Sequence, residues 1–493
     1  MKKECRRFQW ILLALLTITF CSCKDDDESS TMPYDPHKPV VVNGFTPTEG
    51  STKTRMVISG SNFGTDPNII TVRINGMKAP VINAKGNSLY CMVPSKCGDG
   101  KVEVTVGDTP AVTSEQEFTY ERAKVVSTIY GNIRADGYCT VGPNGSSFEE
   151  SFKKYYIVDA PTWFSVDPHD PTVLYMTQDN EGGSLPIRKF DMKKKTVEDL
   201  VAGGTDGVHR MRTVDWTAEG DTMFVSNDNG ADGDAEDNYT AVYYLTREEK
   251  FKNWHKLIMG KQCNGVAVHP ENGELYYGTY YTGSLYRMDY HSYWDDFESL
   301  TLPEYTTMHR EHICDVGDVR WEFNIVIHPS GDYAYLVVIN QHYIMRMNYD
   351  RLRKRFGRPF VFAGARSAGW EDKVGTSARM NRPYQGVFVK NPNYPEGTDQ
   401  YDFYFTDSDN HCVRILSPDG LVTTFAGRGS PGLNGDAHGY VDGELREEAR
   451  FHRPQGLSYD AKNDIFYIGD RNNRRIRMIA REVLPGDENN ENK

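Results

Sequence analysis

From residue 38 onward, short runs of alternating hydrophobic and polar residues are broken every few positions by Gly, Asn, Asp or Pro. Alternation of period two puts one set of side chains on each face of an extended strand, so the pattern predicts β-structure almost throughout. Between 38 and 120 the chain reads "KPVVVNGFTPTEGSTKTRMVISGSNFG", then "ITVRINGMKAPVINAKGNSLYCMVPSKCGDGKVEVTVG" and "EQEFTYE". About seven short strands in a segment of this size fit a small immunoglobulin-like sandwich.

A different rule holds from about 124. Six passages share the order strand, turn, strand, polar hairpin: "WFSVDPHDPTVLYMTQDN", "TVDWTAEGDTMFVSNDNG", "GVAVHPENGELYYGTYY", "NIVIHPSGDYAYLVVINQ", "GVFVKNPNYPEGTDQYDFYFTDSDN" and "GLSYDAKNDIFYIGDRNN". A third strand follows each, as in "SLYRMDY" or "RRIRMIA". Recurrence every 40 to 60 residues or so predicts propeller blades, because one twisted sheet cannot cover both of its own faces and a ring of sheets can. A fourth strand is visible as "FVFAG" at 360–364 and "VTTFAG" at 422–427, whereas the sixth passage is followed only by the charged tail "REVLPGDENNENK". The segment "VVSTIYG" at 125–131 has the missing strand's pattern and is expected to complete the sixth blade, pairing edges that would otherwise stay open.

The residues "F.P..G", "I.G.NFG", "V.ING..A" and "VP" of 38–120 resemble the IPT/TIG family of immunoglobulin-like sandwiches. "RPQG", "FTDSDNHCVRI" and "IGDRNNRRIRMI" resemble NHL repeats. The expectation is therefore an all-β chain, a TIG sandwich at 38–120 followed by a six-bladed NHL-like β-propeller at 124–481, with a charged tail at 482–493.

The first residues carry an address. Lys2, Lys3, Arg6 and Arg7 precede the apolar run "WILLALLTITF", which stops at "CSC". This is the pattern of a signal peptide, too short for a comfortable membrane span. Ser22 before Cys23 resembles a bacterial lipobox, so 1–22 is expected to be removed and Cys23 lipidated. The acidic run "KDDDESS" within a tether at 23–37 resembles the export signal of Bacteroidota-type surface lipoproteins. A net charge of -13, made more negative by loss of that basic leader, sets the body against nucleic acid. No CxxC or Cys/His spacing points to zinc, while Cys91 and Cys97 in "YCMVPSKC" are close enough in sequence to pair in an oxidising compartment.

Candidate chemistry gathers where inner strands begin and where the hairpins between second and third strands end. Aligning the residue before each inner strand gives Thr162, Arg212, Asn264, Phe323, Gln385 and Gln455; Trp163 and Asn324 follow, and Trp321, Arg382, Tyr384 and Arg453 lie beside them. The hairpins add Tyr280, Tyr281, Gln341, Asp409, Asn410, Asn472 and Asn473. Aromatic rings cover the apolar face of a sugar and planar polar groups meet its hydroxyls. Trp163, Arg212, Asn264, Trp321, Tyr384, Gln385 and Gln455 are accordingly the candidate ligand-binding set. The loop "NDNGADGDAEDN" crowds Asp228, Asp232, Asp234 and Asp237 as calcium sites do, but lacks the regular ligand spacing. His209, His342, His411 and His452 come from different blades without equivalent positions. His269 and His328, in "HP" turns, belong to the opposite face as structural residues.

Lipidated proteins of this architecture resemble accessory proteins of glycan-utilisation systems in Bacteroidota-type bacteria. The resemblance implies an outer-membrane, surface-facing, non-catalytic binder of an oligosaccharide or polysaccharide, serving a neighbouring transporter or hydrolase. No cofactor is expected. A metal-assisted hydrolase or lyase acting on carbohydrate, and a protein adaptor, are the alternatives.

Overall fold

The computed structural model describes residues 32–179, 185–205, 207–290, 292, 299–317, 322–429, 436–485 and 487. The chain divides into two compact units, Ala123–Glu482 and a smaller one formed by Met1–Arg122 together with Val483–Lys493. The expected lipidation site Cys23 and the candidate Trp321 lie outside the described residues.

The smaller unit is a sandwich. One sheet has the order Val41–Thr46, Arg55–Ser61, Ser88–Met92, Val81–Lys85, and the other Glu49–Gly50, Val112–Tyr120, Gly100–Val106, Ile70–Ile74, Met77–Ala79. Alternation does what the sequence requires of it: Val102, Val104 and Val106 point inward and join Ile58, Phe63, Val72, Leu89 and Phe118 in one core. Cys91 and Cys97 are both buried in that core and are not joined by a disulfide. Burial pushes the Cys91 thiol up to about 12, which keeps it protonated and inert. The tail is more than a solvated run of charge, since Leu484 packs against the sandwich core and Asp487 accepts two bonds from Arg122, at 2.7 and 3.2 Å.

The larger unit is a six-bladed propeller of antiparallel sheets, four-stranded except in blades four and six, each of which has a fifth, short strand. The inner strands, one per blade, are Pro161–Val166, Arg210–Trp216, Cys263–Val268, Phe323–Ile327, Pro383–Lys390 and Pro454–Asp460. Blade six takes its outermost long strand, Lys124–Tyr130, from the start of the unit; it pairs with Arg475–Arg481 from Lys124↔Arg481 to Tyr130↔Ile476. Among the described residues the propeller's hydrophobic core divides into six clusters, each filling the gap between two neighbouring blades. The gap between blades six and one, for example, holds Tyr130, Phe164, Leu174, Met176, Tyr467 and Ile476. Close approach at this seam demands glycine: a Cβ on Gly469 of blade six would stand 2.7 Å from the carbonyl oxygen of Pro161 in blade one.

The strongest repeat has a buried ionic centre. In blade five Arg414 lies 3.0 Å from Asp407, and in blade six Arg477 lies 2.8 Å from Asp470, with all four side chains fully buried. Asn410 and Asn473 donate to the same carboxylates at 2.8 and 2.7 Å. Each Asp also accepts the backbone N–H of the residue that leads toward an inner strand, Asn381 and His452 respectively. The motif thus ties the hairpin, the third strand and the inter-blade link together. Removing one member of a buried pair strands the other without solvent, typically at about 3–5 kcal/mol. Asp407→Ala is therefore expected to lower propeller stability by that order in urea unfolding, whereas Asp136→Ala, at an exposed pair, should leave the unfolding midpoint close to that of the wild type.

Candidate functional site

The inner strands begin earlier than the pattern predicts, because all but that of blade four carry a register irregularity near their start. These fall between Pro161 and Trp163, Met211 and Val214, Cys263 and Gly265, Pro383 and Gly386, and Pro454 and Leu457. A bulge adds residues without partners and re-aims their side chains. Thr162, Arg212, Asn264, Gln385 and Gln455 therefore sit within bulged strands, while Phe323 starts a regular one.

What the bulges deliver differs around the ring. Gln385 is a strut: its Oε1 accepts the N–H groups of Phe164 in blade one and Leu457 in blade six, both at 2.8 Å, and its Nε2 donates to the Phe164 carbonyl at 2.7 Å. A side chain so bound has little left for a ligand, which corrects its place in the candidate set. Trp163 is likewise structural in its polar atom, its indole N–H donating to the Val214 carbonyl at 3.1 Å. Its ring lies in a different, mainly apolar cavity of about 260 Å³, with Trp216, Val268, Ile327 and Pro329 from the far ends of inner strands. Trp163 therefore does not share the loop-face site. Gln455 stays 'half-buried', and its carbonyl accepts from Thr406 at 2.8 Å.

Arg212 and Asn264 do meet, in a cavity of about 630 Å³ on the loop face of blades two to four. His209, Asn229, Tyr239, Gln262 and Tyr280 line its walls, and Arg210, Asp228, Glu322 and Arg382 complete its charged floor. Arg212 contacts the Glu322 carboxylate and lies 3.1 Å from Asp179 and 3.4 Å from Asp228. Arg210 grips Asp179 with two bonds of 2.8 Å, and Arg382 reaches the second oxygen of Glu322 at 3.1 Å. Three guanidinium groups thus face three carboxylates. Burial pushes Glu322 up, but Arg212 and Arg382 outweigh it and hold the carboxyl below its usual range. At Asp228 burial wins over the arginines and the group is raised. Tyr384 is buried against this network, and burial drives its phenol up to about 12. Two buried polar atoms of the lining have no protein partner, Arg212 Nε and Gln262 Oε1. Buried groups of this kind mark a place where a ligand or water completes the bonding.

The acidic loop is not assembled as a calcium site. Asp228 faces Arg210 and Arg212, Asp234 accepts from the Ala231 N–H and the Tyr239 hydroxyl at 2.7 Å each, and Asp232 lies 3.3 Å from Gln262. Among the described residues no three His, Cys, Asp or Glu side chains converge as metal ligands. His209 joins the cavity wall, while Nδ1 of His342 and of His411 accepts the N–H of Arg382 and of Arg453, both at 3.1 Å. His269 and His328 are buried at the other end of the blades, bonded to Gly331 and Ser330. Sequence reasoning missed Glu322, Arg210 and Asp179. Arg210 and Glu322 flank the candidates His209 and Trp321, whereas Asp179 lies in the blade-one hairpin beside none of them.

An IPT/TIG domain model matches residues 39–120. No curated protein matches the chain. Among solved structures, an auxiliary nutrient binding protein from Bacteroides thetaiotaomicron VPI-5482 is 40% identical, covering 92% of this chain and 100% of its own, with a TM-score of 0.76. Another protein of that strain, provisionally labelled a phosphatase, is 35% identical, covering 92% of this chain and 99% of its own, at a TM-score of 0.84. An auxiliary nutrient binding protein from Bacteroides ovatus ATCC 8483 is 34% identical over 92% of this chain and 100% of its own, at 0.64. Identity at this level along the whole of each relative means that the chain belongs to the Bacteroides family these structures represent.

Proposed function

We propose that the chain is a cell-surface accessory protein that captures a neutral oligosaccharide in the loop-face cavity over blades two to four. The observation that carries this reading is the internal balance of the cavity floor. Arg210, Arg212 and Arg382 are matched by Asp179, Asp228 and Glu322, so the charges satisfy one another and present fixed dipoles rather than a net field. Above them the walls offer amides, imidazole and phenols from Asn264, Gln262, Asn229, His209, Tyr239 and Tyr280. Such groups exchange hydrogen bonds with hydroxyls, and the tyrosine rings cover C–H faces. Two relatives named auxiliary nutrient binding proteins support an accessory binding role. The leader ending at Cys23 supports a lipid anchor, with the acidic tether and sandwich holding the propeller outward.

The test is retention of the chain from residue 31 on a panel of neutral and acidic polysaccharides, with released reducing sugar and released phosphate scored separately. Retention without release supports a binder. Release would replace this reading with a hydrolase, and silence on every polymer would favour an adaptor. Tyr280→Ala and Asn264→Ala are each expected to weaken binding of the retained glycan about tenfold, from the loss of roughly 1 to 1.5 kcal/mol of contact.

The floor also makes a prediction about acid. Because Glu322 is depressed in the folded protein, its stabilising effect is complete above the ordinary glutamate range of about 4.3 and is lost only as pH falls through its lower folded value. Glu322→Gln should therefore lower the melting temperature at pH 5 to 7, and the difference from wild type should close in strong acid.

A further inference from the structure

A second cluster on the loop face, over blades five and six, takes no part in that cavity. His411 ends the hairpin of blade five, His438 lies in the link between the blades, and His452 leads toward the inner strand of blade six. Their ring centroids form a triangle with sides of 5.4, 5.5 and 4.6 Å. The Arg428 guanidinium donates to the Asn410 carbonyl at 3.0 Å and stacks 4.3 Å over the exposed Trp370 ring, and neither contact neutralises it. Arg453 also faces the triangle and has taken the nearby carboxylate, Asp409, at 3.1 Å.

We propose that His411, His438 and His452, with Arg428 at their edge, form a binding subsite for an oxyanion: the carboxylate or sulfate of an acidic sugar, or free phosphate. Hydrogen bonding orients two of the rings as donors. Nδ1 of His411 accepts the Arg453 N–H, so the proton of the neutral ring sits on Nε2. Nε2 of His452 faces the Asn472 amide nitrogen at 3.3 Å, which leaves the proton on Nδ1. The surrounding field is positive. Burial first, then His452, His438, Arg428 and Arg453, drive His411 down to about 4, and burial, His438 and Arg453 lower His452. His411 is therefore uncharged at neutral pH, and a bound anion would favour protonating it. Affinity should rise as pH falls. Among the described residues no three such side chains converge as metal ligands. Exposed Trp370 beside Arg428 supplies a ring on which a sugar carrying the anion can lie.

The experiment is titration of the chain from residue 31 with trigalacturonate, a sulfated oligosaccharide and inorganic phosphate at pH 6 and pH 8, read by calorimetry and by imidazole C–H resonances. Binding at least about tenfold tighter at pH 6 is expected, with shifts of the three histidines, since hydrogen bonds to a charged group are stronger than those to a neutral one. The double variant His438→Ala/His452→Ala should lose this binding while its melting temperature and its retention of neutral glycan stay unchanged. Preference for a saccharide identifies an acidic sugar as the source, and preference for phosphate a free oxyanion; either supports the subsite. Unmoved imidazole resonances with all three probes, or undiminished affinity in the double variant, would overturn it without touching the neutral-glycan reading.

Discussion

Everything in the propeller depends on closing the ring. A blade exposes apolar residues on both faces, so six sheets are stable only if each finds two neighbours, and the last must find the first. Strand Lys124–Tyr130 secures that by pairing along Arg475–Arg481, so blade six is made from both ends of the unit. Opening the ring would break this ladder and expose the apolar seam around Tyr130, Phe164 and Tyr467 together. The same pairing brings the two ends of the propeller unit side by side, with Ala123 and Glu482 exchanging backbone and carboxylate hydrogen bonds.

Closure leaves a channel, and the inner strands determine what fills it. Gln385 reaches from blade five to the backbones of blades six and one, Asn324 from blade four to Tyr384, and Thr213 from blade two to Val266. These side-chain struts do what a hydrogen-bond ladder cannot, since inner strands of neighbouring blades are too far apart to pair as a sheet. The loop-face end above them is polar and ionic, and the other end is lined by Trp163, Trp216 and aliphatic residues. The bulges allow this division, because they turn rim residues inward where a regular strand would send them toward a neighbouring blade.

The architecture was legible because it rests on period-two alternation and on repeated turns, signals that survive divergence between blades. Even the swapped strand at 125–131 could be placed, since an orphan strand before the first blade and a missing one in the last have a single economical solution. The site was less legible. Aligning rim positions found Arg212 and Asn264, yet the same alignment offered Gln385 and Trp163, whose polar atoms serve the fold. Sequence position cannot tell a strut from a ligand contact, because both need a planar polar group at a bulge. Glu322 and Asp179 were hard to see for a related reason: their importance lies in partners on other blades, Arg210 and Arg212 for Asp179, Arg212 and Arg382 for Glu322. Cys91 and Cys97 show the same limit, since nearness in the chain does not bring two inward-facing thiols together.

The distribution of charge on the loop face argues for a division of labour. Burying the Arg212 guanidinium is costly unless carboxylates compensate, and Asp179, Asp228 and Glu322 supply that compensation while also pairing the half-buried Arg210 and Arg382. A floor of this kind has little attraction for net charge, and selectivity passes to the neutral walls above it. Over blades five and six the opposite holds: three imidazoles and Arg428 share a region in which Asp409 is already held by Arg453. In a chain with a net charge of -13 a local positive field is not a by-product of composition. The two neighbouring regions of one face thus differ in kind, one balanced by its own carboxylates and one not.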